Sequence, residues 1–239
     1  FRQQQDGFLV PSFNSISGSG PNGAIVHYRA IAGADRELAS DDLLLLDSGG
    51  HYRDGTTDIT RTIAIGTPPN GAVAAYSHVL QSHIHLAMAK FPTGTNGKQL
   101  DAIARAPLWA AGLDFAHGTG HGVGHVLSVH EGPASISKRG DVALEAGMVL
   151  SNEPGYYQTG DWGIRIENLI VVTPAKQTGF LEFETITLCP LDRRLIDKTL
   201  LDAGEIGWID HYHRAVYEQL HPHLSPMAKS WLEAACCPL

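Results

Sequence analysis

Four acidic residues lie at the ends of apolar runs or inside β-rich runs of the sequence. Asp47 follows four leucines, Asp58 lies in TDITRT, and Glu153 and Glu167 lie in SNEP and RIEN. A buried carboxylate is costly unless something cancels its charge. With a histidine of HGTGHGVGH (residues 117–125), these side chains form an oxygen-rich ligand set with a single nitrogen. Such a set suits a hard or borderline divalent ion such as Mn²⁺.

The charge of this ligand set predicts the number of ions. Four carboxylates bring about four negative charges into a small volume, and two divalent cations would neutralise them. A single cation would leave a large uncompensated charge. The sequence therefore predicts a two-metal site, in which ions ~3.5–4 Å apart lower the pKa of a shared water.

The elements that position these residues are strands mixed with helices. Residues 43–47 and 57–65 are expected to form a hairpin joined by a Gly-containing loop. Further strands are predicted at residues 23–30, 148–153, 163–173 and 180–188, and helices at residues 71–90, 98–111, 203–221 and 226–235. This mixture predicts an α+β domain over residues 1–190, followed by a C-terminal helical extension over residues 191–239.

Composition excludes several functional classes. The formal net charge of −8 argues against a surface for nucleic acid or for an anionic membrane. No apolar run approaches the ~20 residues that a membrane-spanning helix needs. The three cysteines, two of them adjacent, do not make a disulfide framework. A reducing compartment, the cytoplasm, is therefore expected.

The order and spacing of the ligand residues resemble those of the pita-bread metallopeptidases. Asp47 and Asp58 are eleven residues apart, His121 follows, and Glu153 and Glu167 are fourteen residues apart. The flanking stretches DITRT, HGTGHGVGH, VHEGP, SNEPGYY and GIRIEN narrow the resemblance to the Xaa-Pro aminopeptidases (aminopeptidases P), in their larger cytosolic-type branch. The resemblance implies a pita-bread α+β fold with a C-terminal helical tail.

The resemblance also implies which residue holds which ion. Asp47 would bind one Mn²⁺, Asp58 and Glu167 would bridge both ions, and His121 and Glu153 would complete the second. Zn²⁺ and Co²⁺ are alternative metals for the same ligands.

Further residues match the family's substrate site. His117 and His130 match two histidines that contact the substrate and assist proton movement, and Glu153 matches the proton carrier. His27 matches a histidine lining the pocket for the prolyl ring, and Arg165 matches an arginine beside the site that we assign to substrate binding.

The implied reaction is hydrolysis of the bond between an N-terminal residue and proline, by attack of a hydroxide that bridges the two ions. Two alternatives remain open. A prolidase acts on Xaa-Pro dipeptides and needs a positive group for the substrate's free carboxylate, and a non-catalytic pita-bread module only binds other proteins. Members of this branch carry additional N-terminal domains, which we expect the full-length chain to supply, and a homodimer formed through the tail is expected.

Overall fold

The computed structural model describes residues 1–33 and 35–239. Its strands are β1 (Phe8–Pro11), β2 (Ile16–Ser19), β3 (Asp41–Tyr52), β4 (Gly55–Gly66), β5 (Lys90–Pro92), β6 (Gly120–His121), β7 (Ser135–Ile136), β8 (Val149–Asn152), β9 (Gly155–Gln158), β10 (Trp162–Arg165), β11 (Asn168–Pro174) and β12 (Phe180–Thr185). Its α-helices are α1 (Ala72–Ala87), α2 (Gly97–Ala110), α3 (Ala203–Leu220) and α4 (Pro226–Ala235). Within these residues, none of the helices has both the length and the apolar character needed to cross a membrane.

The β3–β4 hairpin belongs to the first sheet, in which β1 and β2 also pair with β3. Its strands are antiparallel, with Asp47 opposite Thr60 and Gly49 opposite Asp58. Asp47 and Asp58 are therefore diagonal neighbours on one face of the hairpin. Leu43, further along β3, is buried in the apolar core.

A second sheet has the strand order β5-β12-β11-β8, and β9 and β10 form a separate antiparallel pair. The continuous strand predicted over residues 163–173 is wrong. The chain leaves β10 after Arg165 and enters β11 at Asn168, because β10 pairs with β9 while β11 pairs with β8 and β12. Glu167 consequently lies in the break between two strands.

The strand predicted over residues 23–30 is also wrong. Gly20–Ala24 forms a short 3₁₀ helix with Pro21 in its first turn, and no strand lies within residues 25–33. The N–H of Ile25 donates to the carbonyl of Asn22, and that of Tyr28 to the carbonyl of Ile25. These local turns use the donors that a sheet would need.

The C-terminal helices pack against the rest of the chain. Ile209 and Leu232, from α3 and α4, share one apolar core with Leu43 and with Leu80 of α1. Helix α3 begins with a capping box in which Asp202 and Glu205 satisfy each other's backbone N–H groups. The helix predictions for this part agree with the structure to within one residue, whereas the domain boundary at residue 190 remains a prediction.

Candidate metal centre

All nine residues singled out in the sequence line one cavity of about 440 Å³. The first sheet, the segment after α2 and the β8–β11 region each contribute to its wall. The nine residues are His27, Asp47, Asp58, His117, His121, His130, Glu153, Arg165 and Glu167.

Three of these side chains converge on one point. Asp58, His121 and Glu167 each offer a ligand atom, and these atoms lie within 4.8 Å of one another. Nε2 of His121 is 3.5 Å from Oδ2 of Asp58 and 3.3 Å from Oε1 of Glu153. Its Nδ1 lies 3.0 Å from the carbonyl of Gly122 and donates to it, so the lone pair of Nε2 faces the carboxylates. This arrangement is suited to holding a cation.

Asp47 lines the same cavity, and only one of its two carboxylate oxygens accepts a hydrogen bond. Its Oδ2 accepts a hydrogen bond from Nη2 of Arg165 at 2.6 Å. Its Oδ1 is buried and has no hydrogen-bond partner among the described residues. A buried acceptor without a partner is costly, so it fits a position where a cation would bind. Arg165 supplies one positive charge, which leaves three of the four negative charges of the carboxylates uncompensated. Three negative charges still exceed the two positive charges of a single divalent ion.

Burial makes the carboxylates of this cluster hard to ionise. It raises the pKa of Glu167 well above its usual range, and the charges of Asp58 and Glu153 raise that pKa further. It raises the pKa of Glu153 to about 7, although His121 and Arg165 lower it. The pKa of Asp47 is raised as well, mainly by burial. The cluster is short of positive charge, as expected for a site whose native contents are cations.

The metal-free chain should therefore lose stability as the pH rises from 5 to 8. The folded-state pKa of Glu153 is about 7, against a usual value of 4.5. Its contribution to the free energy of unfolding is therefore complete below pH 4.5 and is lost as the pH rises through 7. The Glu153→Gln variant cannot ionise there. We expect wild type to lose roughly 5–10 °C of Tm relative to this variant between pH 5 and 8. Calorimetry of both proteins in chelator tests this, and parallel Tm profiles would contradict it.

Two polar side chains that sequence reasoning missed join the predicted residues. The hydroxyl of Tyr157 donates to Nε2 of His117 and accepts from Nη1 of Arg165, each at 2.8 Å. The hydroxyl of Thr60 donates to Oε2 of Glu167 at 2.7 Å. Both lie in the matched stretches SNEPGYY and DITRT, but residue type alone did not distinguish them from their neighbours.

The histidines of the cavity differ in their surroundings. His117 donates from Nδ1 to the carbonyl of Gly118 at 2.8 Å, and burial lowers its pKa to about 4, so it is neutral. The His130 ring packs edge-on against the His121 ring with centroids 4.1 Å apart. His27 and Phe13 also line the cavity.

The class of protein that this fold and this cavity define is the pita-bread metallopeptidases. The sequence model of metallopeptidase family M24 matches residues 1–174, and that of the C-terminal region of peptidase M24 matches residues 179–239. The chain belongs to metallopeptidase family M24.

Three relatives illustrate what the chain is similar to. A probable Xaa-Pro aminopeptidase P of Laccaria bicolor is 46% identical over 250 residues, which cover 100% of this chain and 39% of the relative. The crystal structure of the X-prolyl aminopeptidase of Caenorhabditis elegans matches with a TM-score of 0.95 and 44% identity, covering 100% of this chain and 40% of that one. It is described as a cytosolic enzyme with a di-nuclear active site.

The third relative is more distant. The prolidase of Pyrococcus furiosus matches with a TM-score of 0.66 and 34% identity, covering 75% of this chain and 50% of that one. This chain spans about two fifths of the length of the fungal aminopeptidases P that it matches.

Proposed function

We propose that this chain carries the catalytic region of a metal-dependent Xaa-Pro aminopeptidase, which hydrolyses the bond between an N-terminal residue and proline. The observation that carries the proposal is the convergence of Asp58, His121 and Glu167 within 4.8 Å, in a cavity that Asp47 and Glu153 also line. Similarity to the Laccaria and Caenorhabditis enzymes over the whole chain supports it.

The proposed cofactor is a pair of divalent ions held by the five predicted ligands. Asp47 would hold one ion, Asp58 and Glu167 would bridge the pair, and His121 and Glu153 would complete the second ion's shell. The residues fit such a pair, since they offer an unpartnered buried oxygen and carboxyl groups short of positive charge. We propose Mn²⁺ because oxygen donors predominate. When bound, the ions supply an activated water and polarise the scissile carbonyl.

The chain's own side chains then position the substrate and move protons. Glu153 accepts a hydrogen bond from Ser151 at 2.9 Å and lies beside His121, so its carboxylate is aimed into the cavity. We assign to it the transfer of a proton from water to the leaving prolyl nitrogen. We assign to His130 the donation of a hydrogen bond to the developing oxyanion. Neutral His117 is hydrogen-bonded at both nitrogens, to Gly118 and to Tyr157, so we propose that it orients the substrate through its ring.

Selectivity for proline is assigned to the wall that carries His27 and Phe13. A prolyl nitrogen in a peptide bond carries no hydrogen, so a site that grips a substrate N–H loses that contact. Recognition must then come from the ring itself, against the apolar wall. Arg165 was predicted to bind substrate. Its guanidinium is directed to Asp47 and Tyr157, so in this proposal it reaches substrate through the residues it orients.

A comparison of peptide lengths separates the aminopeptidase from the prolidase alternative. We expect a Xaa-Pro-Xaa tripeptide to be cleaved with at least ~10-fold higher kcat/KM than the matching Xaa-Pro dipeptide, because the relatives that match the whole chain are named Xaa-Pro aminopeptidases, whereas the prolidase matches 75% of it. The assay is run on Mn²⁺-loaded protein, with a Xaa-Ala-Xaa tripeptide as the control for proline selectivity. Preference for the dipeptide would instead support a prolidase.

We also propose a domain organisation, an assembly and a location for the protein. We propose that residues 1–190 form the catalytic unit and residues 191–239 a helical extension, with further N-terminal domains in the whole protein. We propose a homodimer formed through the tail, where Met227 and Trp231 of α4 are exposed. A cytoplasmic location is supported by three free cysteines and by the cytosolic Caenorhabditis relative.

A further inference from the structure

Arg61 occupies the centre of a buried polar network behind the candidate metal centre. It lies on β4 next to Thr60, and only 6% of its surface is exposed. It pairs with no carboxylate side chain among the described residues. Its guanidinium instead donates to oxygens at 2.6–3.1 Å, which belong to the carbonyls of Thr60, Glu167, Cys189 and Pro190, to the amide of Asn168 and to the hydroxyl of Tyr212.

One consequence of this network is that the backbone of Glu167 is fixed from both sides. Glu167 lies in the break between β10 and β11, where its carbonyl has no strand partner. Nη1 of Arg61 donates to that carbonyl at 2.6 Å and to the carbonyl of Thr60 at 2.9 Å. The N–H of Glu167 donates to the same Thr60 carbonyl. The side-chain hydroxyl of Thr60 donates to the carboxylate of Glu167. Arg61 thus supplies the hydrogen bond that a neighbouring strand would otherwise donate to the carbonyl of Glu167, a proposed metal ligand.

The network also reaches the second proposed glutamate ligand. Oδ1 of Asn168 accepts from Arg61 at 2.7 Å, and its Nδ2 donates to Nε2 of His83 on α1 at 3.1 Å. The carbonyl of His83 accepts from the side chain of Asn152, which precedes Glu153 and lies opposite Asn168 in the sheet. Each glutamate therefore adjoins an asparagine that is tied to helix α1.

We propose that Arg61 is a positioning residue that aims the carboxylates of Glu167 and Glu153 and thereby sets the affinity of the centre for divalent ions. This inference rests on the proposed metal centre. A positive charge at position 61 is not sufficient for this role, because the role needs the five donors that a guanidinium offers in a fixed planar fork. A lysine keeps the charge and offers three donors from a single nitrogen.

The Arg61→Lys variant tests this role through ion affinity. We expect Mn²⁺ affinity, measured by titration calorimetry on the full chain, to fall about 10–100-fold, as is typical when a partner of a metal ligand is removed. The matched control is Arg194→Lys, since Arg194 also donates to a β4 carbonyl, that of Ala64, but lies at the surface away from the cavity. The control should bind Mn²⁺ as wild type does.

A purely structural role would give a different result. Arg61→Lys would then lower the Tm of the metal-free chain and leave Mn²⁺ affinity at the wild-type value, which overturns the proposal. If Arg61→Lys does not fold, Tyr212→Phe removes only a hydroxyl that contacts Arg61 and Asn168. Its Mn²⁺ affinity should fall about threefold or more, and wild-type affinity in that variant overturns the proposal too.

Failure of the proposed metal centre can be distinguished from failure of the proposed role of Arg61. If the wild-type chain binds no Mn²⁺, the result contradicts the proposed metal centre and therefore also the role of Arg61. Wild-type chain that binds Mn²⁺, together with a folded Arg61→Lys variant of equal affinity, would leave the centre intact and contradict only the role of Arg61.

Discussion

Replacement of Asp58 by alanine will abolish both retention of divalent ions and turnover. Asp58 lies against His121 and Glu167 at the point where ligand atoms converge, and it is one of the two residues proposed to bridge the ions. Loss of a bridging ligand weakens both sites at once, so we expect kcat/KM to fall by at least ~1,000-fold. The measurement is metal content after gel filtration, followed by rates on a Xaa-Pro-Xaa peptide.

The control for this experiment lies on the same hairpin. Asp54 is exposed in the turn between β3 and β4, so Asp54→Ala makes the same chemical change away from the cavity. That variant should keep its ions and its rate. The metal-free Asp58→Ala chain should remain folded, because the change removes one charge from a crowded acidic cluster. An Asp58→Ala variant that keeps two ions per chain would remove Asp58 from the bridging position.

Replacement of Glu153 by glutamine will separate proton transfer from folding. Glutamine keeps an oxygen for the ion and for the hydrogen bond from Ser151, but it cannot carry a proton. We expect kcat to fall ~100–10,000-fold, the range of a general acid–base contribution, while KM changes much less. Steady-state kinetics at saturating Mn²⁺ provide the measurement.

The matched control is Glu184→Gln, at an exposed position on β12 outside the cavity. Its kinetics should equal those of wild type. If Glu153→Gln turned over within a few-fold of wild type while Glu184→Gln did the same, another group would have to carry the proton, and the assignment to Glu153 would fail.

The position of the two aspartates was predictable from the sequence because a hairpin converts spacing into geometry. The turn has two residues, Arg53 and Asp54, between the paired residues Tyr52 and Gly55. A spacing of eleven then places Asp47 and Asp58 on the same face, one step apart on the diagonal. The helices of the tail were also predictable, since capping residues such as Asp202 mark where they begin.

Other features could not be read from local patterns. The apolar run around His27 has the composition of a strand, but no neighbouring strand accepts it, and its donors bond within local turns instead. The break at Glu167 arises because β10 and β11 pair with different strands, which is a property of the whole sheet. The sequence predicts Arg165 as a substrate contact, and only the folded chain shows its ion pair with Asp47.

The partners of the site residues form the least predictable part. Tyr157, Thr60 and Arg61 are ordinary members of β-rich stretches until folding brings them to His117 and Glu167. Their hydrogen bonds span separations of up to 151 residues along the chain, as between Arg61 and Tyr212. A pattern in sequence identifies the residues that could bind an ion, whereas the groups that aim them depend on long-range packing.

Anomalous diffraction from crystals of the Mn²⁺-loaded chain tests most directly whether this acidic cavity is built around a pair of cations. We expect two manganese peaks per chain, both inside the cavity and within bonding distance of the carboxylates from the hairpin and from residues 153 and 167. A single peak, no peak, or peaks elsewhere on the molecule would contradict it.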